Sequence, residues 1–113
     1  TIVFDKNGKF KIATGSPGGP LIIPYTSQSI IELIDGNETP AKAVTEPHLG
    51  NPNGPTLIEK GTSLEALVPQ LAAMGHQIAE PIVEQSGVNI IERVKGGYLG
   101  AADPRRDGNA KGD

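Results

Sequence analysis

At 113 residues, with a formal net charge of −3 and no cysteine, the chain is one domain at most and offers no electrostatic case for nucleic acid. The lack of cysteine excludes disulfides and thiolate metal sites, and it suits an oxidising compartment. With 15 glycines, 10 prolines and only 4% aromatic residues, the composition is loop-rich, and any core rests on Ile, Leu, Val and Ala.

Thr1-Ile2-Val3-Phe4 reads as a strand already under way, so the chain is expected to be part of something longer. Ile2–Asp5 and Lys9–Thr14 flank Lys6-Asn7-Gly8, which predicts a hairpin because Asn and Gly both tolerate positive φ. In the second strand Phe10, Ile12 and Thr14 share one face, with Lys9, Lys11 and Ala13 on the other. Leu21–Asp35 reads as a helix whose inward stripe is Ile23, Ser27, Ile30, Ile31 and Ile34. Pro24 is tolerable there only in the first turn, and Gly36 is the expected C-terminal stop. Pro20–Tyr25, the longest nearly apolar run, is far short of a membrane span.

Thr39-Pro40 predicts a cap and a first-turn proline for a short helix to about Thr45. An irregular run, His48–Pro55, leads to a short strand at Leu57–Glu59. Thr62 or Ser63 caps a helix to Met74, stopped by Gly75, with Leu64, Leu67, Val68 and Leu71 inward. Pro69 does not fit its interior, so the helix either kinks or is two short pieces that meet. Gln77–Val83 and Val88–Val94 are predicted strands, and Gly96-Gly97 turns the latter into Tyr98–Ala102. The tail from Asp103 to Asp113 is a polar wrap. The order ββ-α-α-β-α-βββ is a mixed α/β (α+β) pattern with antiparallel pairing.

Gly15-Ser16-Pro17-Gly18-Gly19-Pro20 lies between a strand and a helix. It is open to two readings. One is a turn in which glycine relieves crowding. The other is a bare backbone whose N–H groups, with the helix's positive end, stabilise an oxyanion. No Lys-Ser or Lys-Thr follows the glycines, so the phosphate-loop pattern fails. His48 and His76 are not at a metal-ligand spacing, and His76 is placed to meet the last carbonyls of its helix. Glu32, Asp35, Glu38 and Glu46 are scattered on surface, and Lys42 and Glu46 form an i, i+4 pair in the weaker order. Asp103-Pro104-Arg105-Arg106-Asp107-Gly108 reads either as an ion-paired wrap or as an arginine supporting a pocket made elsewhere.

Taken in order, Gly15-Ser16-Pro17-Gly18-Gly19, the Ile-rich helix, Glu59-Lys60-Gly61, Met74-Gly75-His76 and Gly97–Gly100 leading to Ala101-Ala102-Asp103-Pro104-Arg105-Arg106 form a specific set. The set resembles the C-terminal half of the small subunit of gamma-glutamyltransferases (gamma-glutamyltranspeptidases), over nearly the whole chain. The resemblance implies an N-terminal-nucleophile hydrolase fold, a four-layer αββα sandwich of which residues 1–113 are a single partial domain. It implies transfer of a gamma-glutamyl group from glutathione or a related donor to water, an amino acid or a peptide, without cofactor or metal. By the same resemblance Gly18 and Gly19 supply oxyanion-hole N–H groups, and Ser16 and Pro17 shape the turn.

The nucleophile of that family is a threonine opening a Thr-Thr-His-type segment, whereas Thr1 here is followed by Ile-Val-Phe. Thr1 aligns just after the family's Ser-Ser-Met stretch. Those serines and the upstream Arg and Asp that grip the glutamyl group lie outside this chain. The expected partners are therefore the large subunit and the N-terminal part of the small subunit, and the chain alone is expected to be inactive. Bacterial members are commonly periplasmic or extracellular. Two other readings stay open. One is a fragment of a related acylase (cephalosporin acylase or poly-gamma-glutamate hydrolase). The other is a noncatalytic α/β binding module, able to self-associate through an open strand edge.

Overall fold

The computed structural model describes residues 1–82 and 86–112. Strands β1 (Ile2–Phe4), β2 (Phe10–Gly15), β5 (Asn89–Val94) and β6 (Gly97–Ala102) form one antiparallel sheet in the order β1-β2-β5-β6. Helices α1 (Ile22–Ile34) and α2 (Pro40–Ala43) cover one of its faces. A two-stranded ribbon of β3 (Leu49–Gly50) and β4 (Leu57–Ile58) and the surface helix α3 (Val68–Ala73) complete the fold.

The β1–β2 hairpin forms as predicted, and Asp5 holds its turn. The Asp5 carboxylate accepts from the Asn7 and Lys9 N–H groups at 2.9 and 3.0 Å. Only Gly8 uses a positive φ, so Asn7 is not the left-handed residue. On β2, Ile12 and Thr14 are buried while Lys11 and Ala13 are half-buried, which is the predicted alternation. Register carries it across the sheet: Thr14 faces Ile90, and Ile90 faces Ala101. Ile12, Ile90 and Ala101 make the core with Tyr25, Leu33, Ala43, Val44 and Val88.

The inward face of α1 differs from the one predicted. Tyr25, Thr26, Ser29 and Leu33 are buried, whereas Ile23, Ile31 and Ile34 are exposed. Close approach of helix to strand explains the reversal. Ser29 Oγ lies 3.2 Å from Thr14 Oγ1 and donates to the Thr26 carbonyl, so a small polar seam sits where an Ile stripe was expected. Tyr25 and Leu33 supply the volume on either side. Pro24 does fall in the first turn. The helix end also differs: Asn37, not Gly36, takes the left-handed conformation, and the Gly36 N–H closes back on the Ile31 carbonyl.

Thr39 caps α2 as expected, its hydroxyl accepting from the Lys42 N–H at 3.3 Å, and Lys42 pairs with Glu46. The proline problem at residue 69 resolves into two pieces. A 3-10 segment, Ser63–Leu67, runs into α3, where Pro69 occupies the first turn and no N–H is required of it. Leu64, Val68 and Leu71 are half-buried but Leu67 is exposed. Over its described part, Gln77–Val83 is not a strand, and Val83 lies outside the described residues. Ile78 and Ile82 make single parallel bridges to Thr56 and Glu59. The spacing is four residues on one side against three on the other, and Pro81 brings no N–H, so the ladder breaks.

The sheet's second face carries the row Ile2, Ala13, Ile91 and Gly100. Ile2, Phe4, Ile91 and Tyr98 are all at least half exposed. The tail crosses part of this face. A Cβ on Gly100 would meet Ala110 at 3.4 Å, and one on Gly108 would strike Ala102 at 2.7 Å.

Candidate active-site turn

β2 ends at Gly15, and a 3-10 turn, Gly19–Leu21, opens the helical segment that becomes α1. Between them the turn is clasped by the segment that leads into β5. Ser16 Oγ donates to the Pro17 carbonyl at 2.7 Å and accepts the Gly87 N–H at 3.0 Å. The Pro17 ring leans on Gly87, where a Cβ would sit 3.0 Å from Pro17 Cγ and 2.9 Å from Arg106 Cδ. Ser16 and Pro17 are thus brought together with Gly18 and Gly19 in one rigidly seated turn.

Gly18 and Gly19 have φ of 137° and 57°, conformations that favour glycine. Space adds a second demand at Gly18 alone: a Cβ there would lie 2.7 Å from Tyr25 Cε2. Nothing lies within 4 Å of a Cβ at Gly19. Among the described residues neither glycine's N–H donates to another group of the chain. Both stand at the opening of a helix, where unsatisfied donors and the helix dipole favour negative charge. The turn can therefore offer two backbone donors to an acceptor from outside the chain.

Beneath the turn lies a buried polar network. Asp103 Oδ2 accepts from Ser86 Oγ at 2.5 Å and the Val88 N–H at 3.3 Å. Its Oδ1 accepts from the Arg105 N–H at 2.9 Å and Arg105 Nη1 at 3.1 Å. Arg105 also grips Glu59 with Nε and Nη2, and the Val44 and Glu46 carbonyls with Nη1 and Nη2. All five guanidinium N–H groups are thereby used. Glu59 in turn accepts the His48 N–H at 2.8 Å.

Burial pushes the Asp103 and Glu59 carboxyls up, but their hydrogen bonds pull harder, and both end below the usual carboxylate range. The Ser86 hydroxyl and Arg105 act on Asp103, and Arg105 and the His48 N–H on Glu59. Burial likewise pulls Arg105 down, and its two carboxylates hold it above its ordinary value. The Asp103–Gly108 segment forms the ion-paired wrap of the first reading, and Ser86 and Gly87 connect that wrap to the turn.

His48 lies in this network, buried to 1% exposure. Its ring is tilted against Tyr25 with centroids 4.7 Å apart, Nδ1 is 3.4 Å from Gln28 Oε1, and Nε2 is 4.0 Å from Asp103 Oδ2. His76 is exposed, and its backbone N–H closes α3 on the Leu71 carbonyl, as predicted for that helix end. The Thr1 backbone nitrogen donates to the Thr14 carbonyl at 2.8 Å, at the sheet edge. Sequence reasoning missed Tyr25, Ser86 and Gly87. Ser86-Gly87 directly before a strand was the available signal. For Tyr25 there was none, because the apolar stripe pointed to the other side of the helix.

Comparison with known proteins agrees with this architecture. Residues 1–113 match the gamma-glutamyltranspeptidase family model. The chain is 34% identical over 104 residues to the acylase ACY 1 proenzyme of Pseudomonas sp. strain SE83, covering 91% of this chain and 18% of that protein. It is 34% identical over 102 residues to the glutathione hydrolase proenzyme of Escherichia coli, covering 88% and 17%. A Helicobacter pylori gamma-glutamyltranspeptidase mutant superposes with a TM-score of 0.82 at 33% identity, over 94% of this chain and 59% of that one. The chain thus spans less than a fifth of the length of these two curated relatives. Its four-stranded sheet, with helices on one face and a second face only partly crossed by the tail, forms a partial domain of the N-terminal-nucleophile hydrolase fold. By full-length match, sequence identity and fold, this chain belongs to the gamma-glutamyltranspeptidase family.

Proposed function

We propose that this chain is the C-terminal segment of a gamma-glutamyltransferase and contributes the oxyanion-hole turn to its active site. The observation that carries this reading is the pair of N–H groups at Gly18 and Gly19, turned to no acceptor among the described residues and set at a helix opening. A threonine hydroxyl supplied by the rest of the enzyme attacks the gamma-glutamyl carbonyl, and the carbonyl π pair moves onto oxygen. The two N–H groups stabilise that oxyanion as it forms. The intermediate collapses, the C–N bond breaks, and the amine leaves with the proton taken from the hydroxyl by the threonine's own amino group. Water, an amino acid or a peptide then attacks the acyl-enzyme by the same route.

The donor is glutathione or another gamma-glutamyl amide. The structural partners are the large subunit and the N-terminal part of the small subunit. The exposed Ile2 and Ile91 on the second sheet face support this, since apolar side chains on a β face are ordinarily covered. A second reading, a related acylase with another acyl donor, is favoured by equal identity to the acylase ACY 1 proenzyme. A chromogenic gamma-glutamyl anilide assay tests the proposal. The intact enzyme turns the anilide over and the 113-residue chain alone does not. Turnover by the isolated chain that is abolished on changing Thr1 overturns it, and an intact enzyme that accepts only other acyl groups selects the second reading.

A further inference from the structure

We infer that Tyr25 is a positioning residue for the reaction, its ring being the platform that sets where the Gly18 and Gly19 N–H groups point. This rests on the oxyanion reading of that turn. A Cβ at Gly18 would lie 2.7 Å from Tyr25 Cε2 and 3.1 Å from Cδ2, so the Gly18 Cα abuts the Cδ2–Cε2 edge of the ring with no room for a side chain. The ring itself is fixed. Tyr25 is 1% exposed, sits one turn into α1 and belongs to the core cluster with Ile12, Val88 and Ile90. On another side it meets the buried His48 ring at 4.7 Å.

His48 is immobilised through its backbone. Its N–H donates to Glu59, its carbonyl accepts the Glu59 N–H at 3.0 Å, and Glu59 is held by Arg105. Asp103, 4.0 Å from His48 Nε2, also holds Ser86, whose neighbour Gly87 clasps Ser16. Tyr25 and Asp103 therefore brace the two ends of one turn. Ser16 is fixed by its hydrogen bond to Gly87, and Gly18 is fixed by contact with the ring. A donor displaced by a fraction of an ångström stabilises the transition state less while leaving substrate binding nearly unchanged.

The test is a kinetic series in the intact enzyme, reading kcat and KM separately on a gamma-glutamyl anilide. Tyr25→Leu removes the flat ring and is expected to lower kcat at least tenfold with KM within threefold. Tyr25→Phe keeps the ring and is expected to hold kcat within threefold of the parent. Gly18→Ala serves as the reference and is expected to lower kcat by more than tenfold. If Tyr25→Leu does not give folded enzyme by circular dichroism, Tyr25→Met restores most of the volume and must show the same split. Normal kcat in the ring-less variant beside a slow Gly18→Ala overturns the Tyr25 inference and leaves the oxyanion reading standing. Normal kcat in Gly18→Ala overturns both. A loss in Tyr25→Phe equal to that in Tyr25→Leu assigns the effect to the hydroxyl and overturns the platform.

Discussion

Arg105 closes onto Glu59 through two parallel hydrogen bonds, Nε to Oε1 at 2.7 Å and Nη2 to Oε2 at 2.9 Å. The pair joins the segment after β6 to the segment after β4, and through Asp103 and Ser86 it reaches the glycine turn. Removing the arginine leaves two carboxylates in a largely dry site, which costs about 3–5 kcal/mol for a buried pair. Arg105→Met is expected to destabilise by that order. Arg105→Lys is expected to recover only part of the loss, because one ammonium cannot reproduce the fork. Thermal unfolding of the intact enzyme checks both.

Acid should loosen the same network. Glu59 and Asp103 have folded pKa values below their unfolded ones, so they bind fewer protons when folded. Their stabilisation is fully present above the unfolded carboxyl pKa, roughly 4, and is lost as pH falls through the lower folded values. Arg105, raised in the fold, stays charged throughout that range. The contribution of these two carboxyls to the unfolding free energy is expected to be constant above about pH 5 and to fall below about 4. Asp103→Asn is expected to flatten part of the acid limb. Urea titrations at stepped pH read this directly.

The two glycines of the turn should not respond alike. Alanine at Gly19 meets open space and bears only the left-handed backbone penalty, about 1–2 kcal/mol. Alanine at Gly18 meets that penalty and the Tyr25 ring at 2.7 Å as well. Gly18→Ala is expected to lose more stability than Gly19→Ala by at least 1 kcal/mol, on the order of an overpacked contact. Differential scanning calorimetry of the two variants settles the order.

Pro69 gives a prediction whose sign separates the two sequence readings, a kinked helix interior from two short pieces that meet. A proline inside a helix would be relieved by alanine, a gain of about 3 kcal/mol. Pro69 instead sits in the first turn of α3, where its fixed φ restricts the unfolded chain at no native expense. Pro69→Ala is therefore expected to lose about 0.4–1 kcal/mol. A shift of the melting midpoint upward would contradict this.

The β1–β2 hairpin, β5 and β6, the Thr39 cap and the glycine turn were legible because local chemistry dictates them. Asn7-Gly8, Thr39-Pro40 and Gly96-Gly97 each act within a few residues. The face of α1 was not legible, because hydrophobic periodicity cannot foresee a helix that approaches its sheet through Ser29 and Thr14. The Ile23, Ile31 and Ile34 stripe then points away from this sheet. The Gln77–Val83 stretch misled for a different reason, since its strand-like residues are interrupted by Pro81. At the site, Gly18 and Gly19 stood out through the family resemblance. Their supports, Tyr25 at seven residues' distance and Gly87 at about seventy, depend on tertiary contacts that spacing does not encode.

The central claim is that a backbone donor of this turn stabilises the oxyanion of gamma-glutamyl transfer. Replacing Gly19 by glycolic acid in the intact enzyme changes its N–H to an ester oxygen and adds no side chain. The account predicts that kcat on a gamma-glutamyl anilide falls by about 10²–10³, the effect of losing one oxyanion donor, with KM nearly unchanged. A kcat within twofold of the parent enzyme would contradict it.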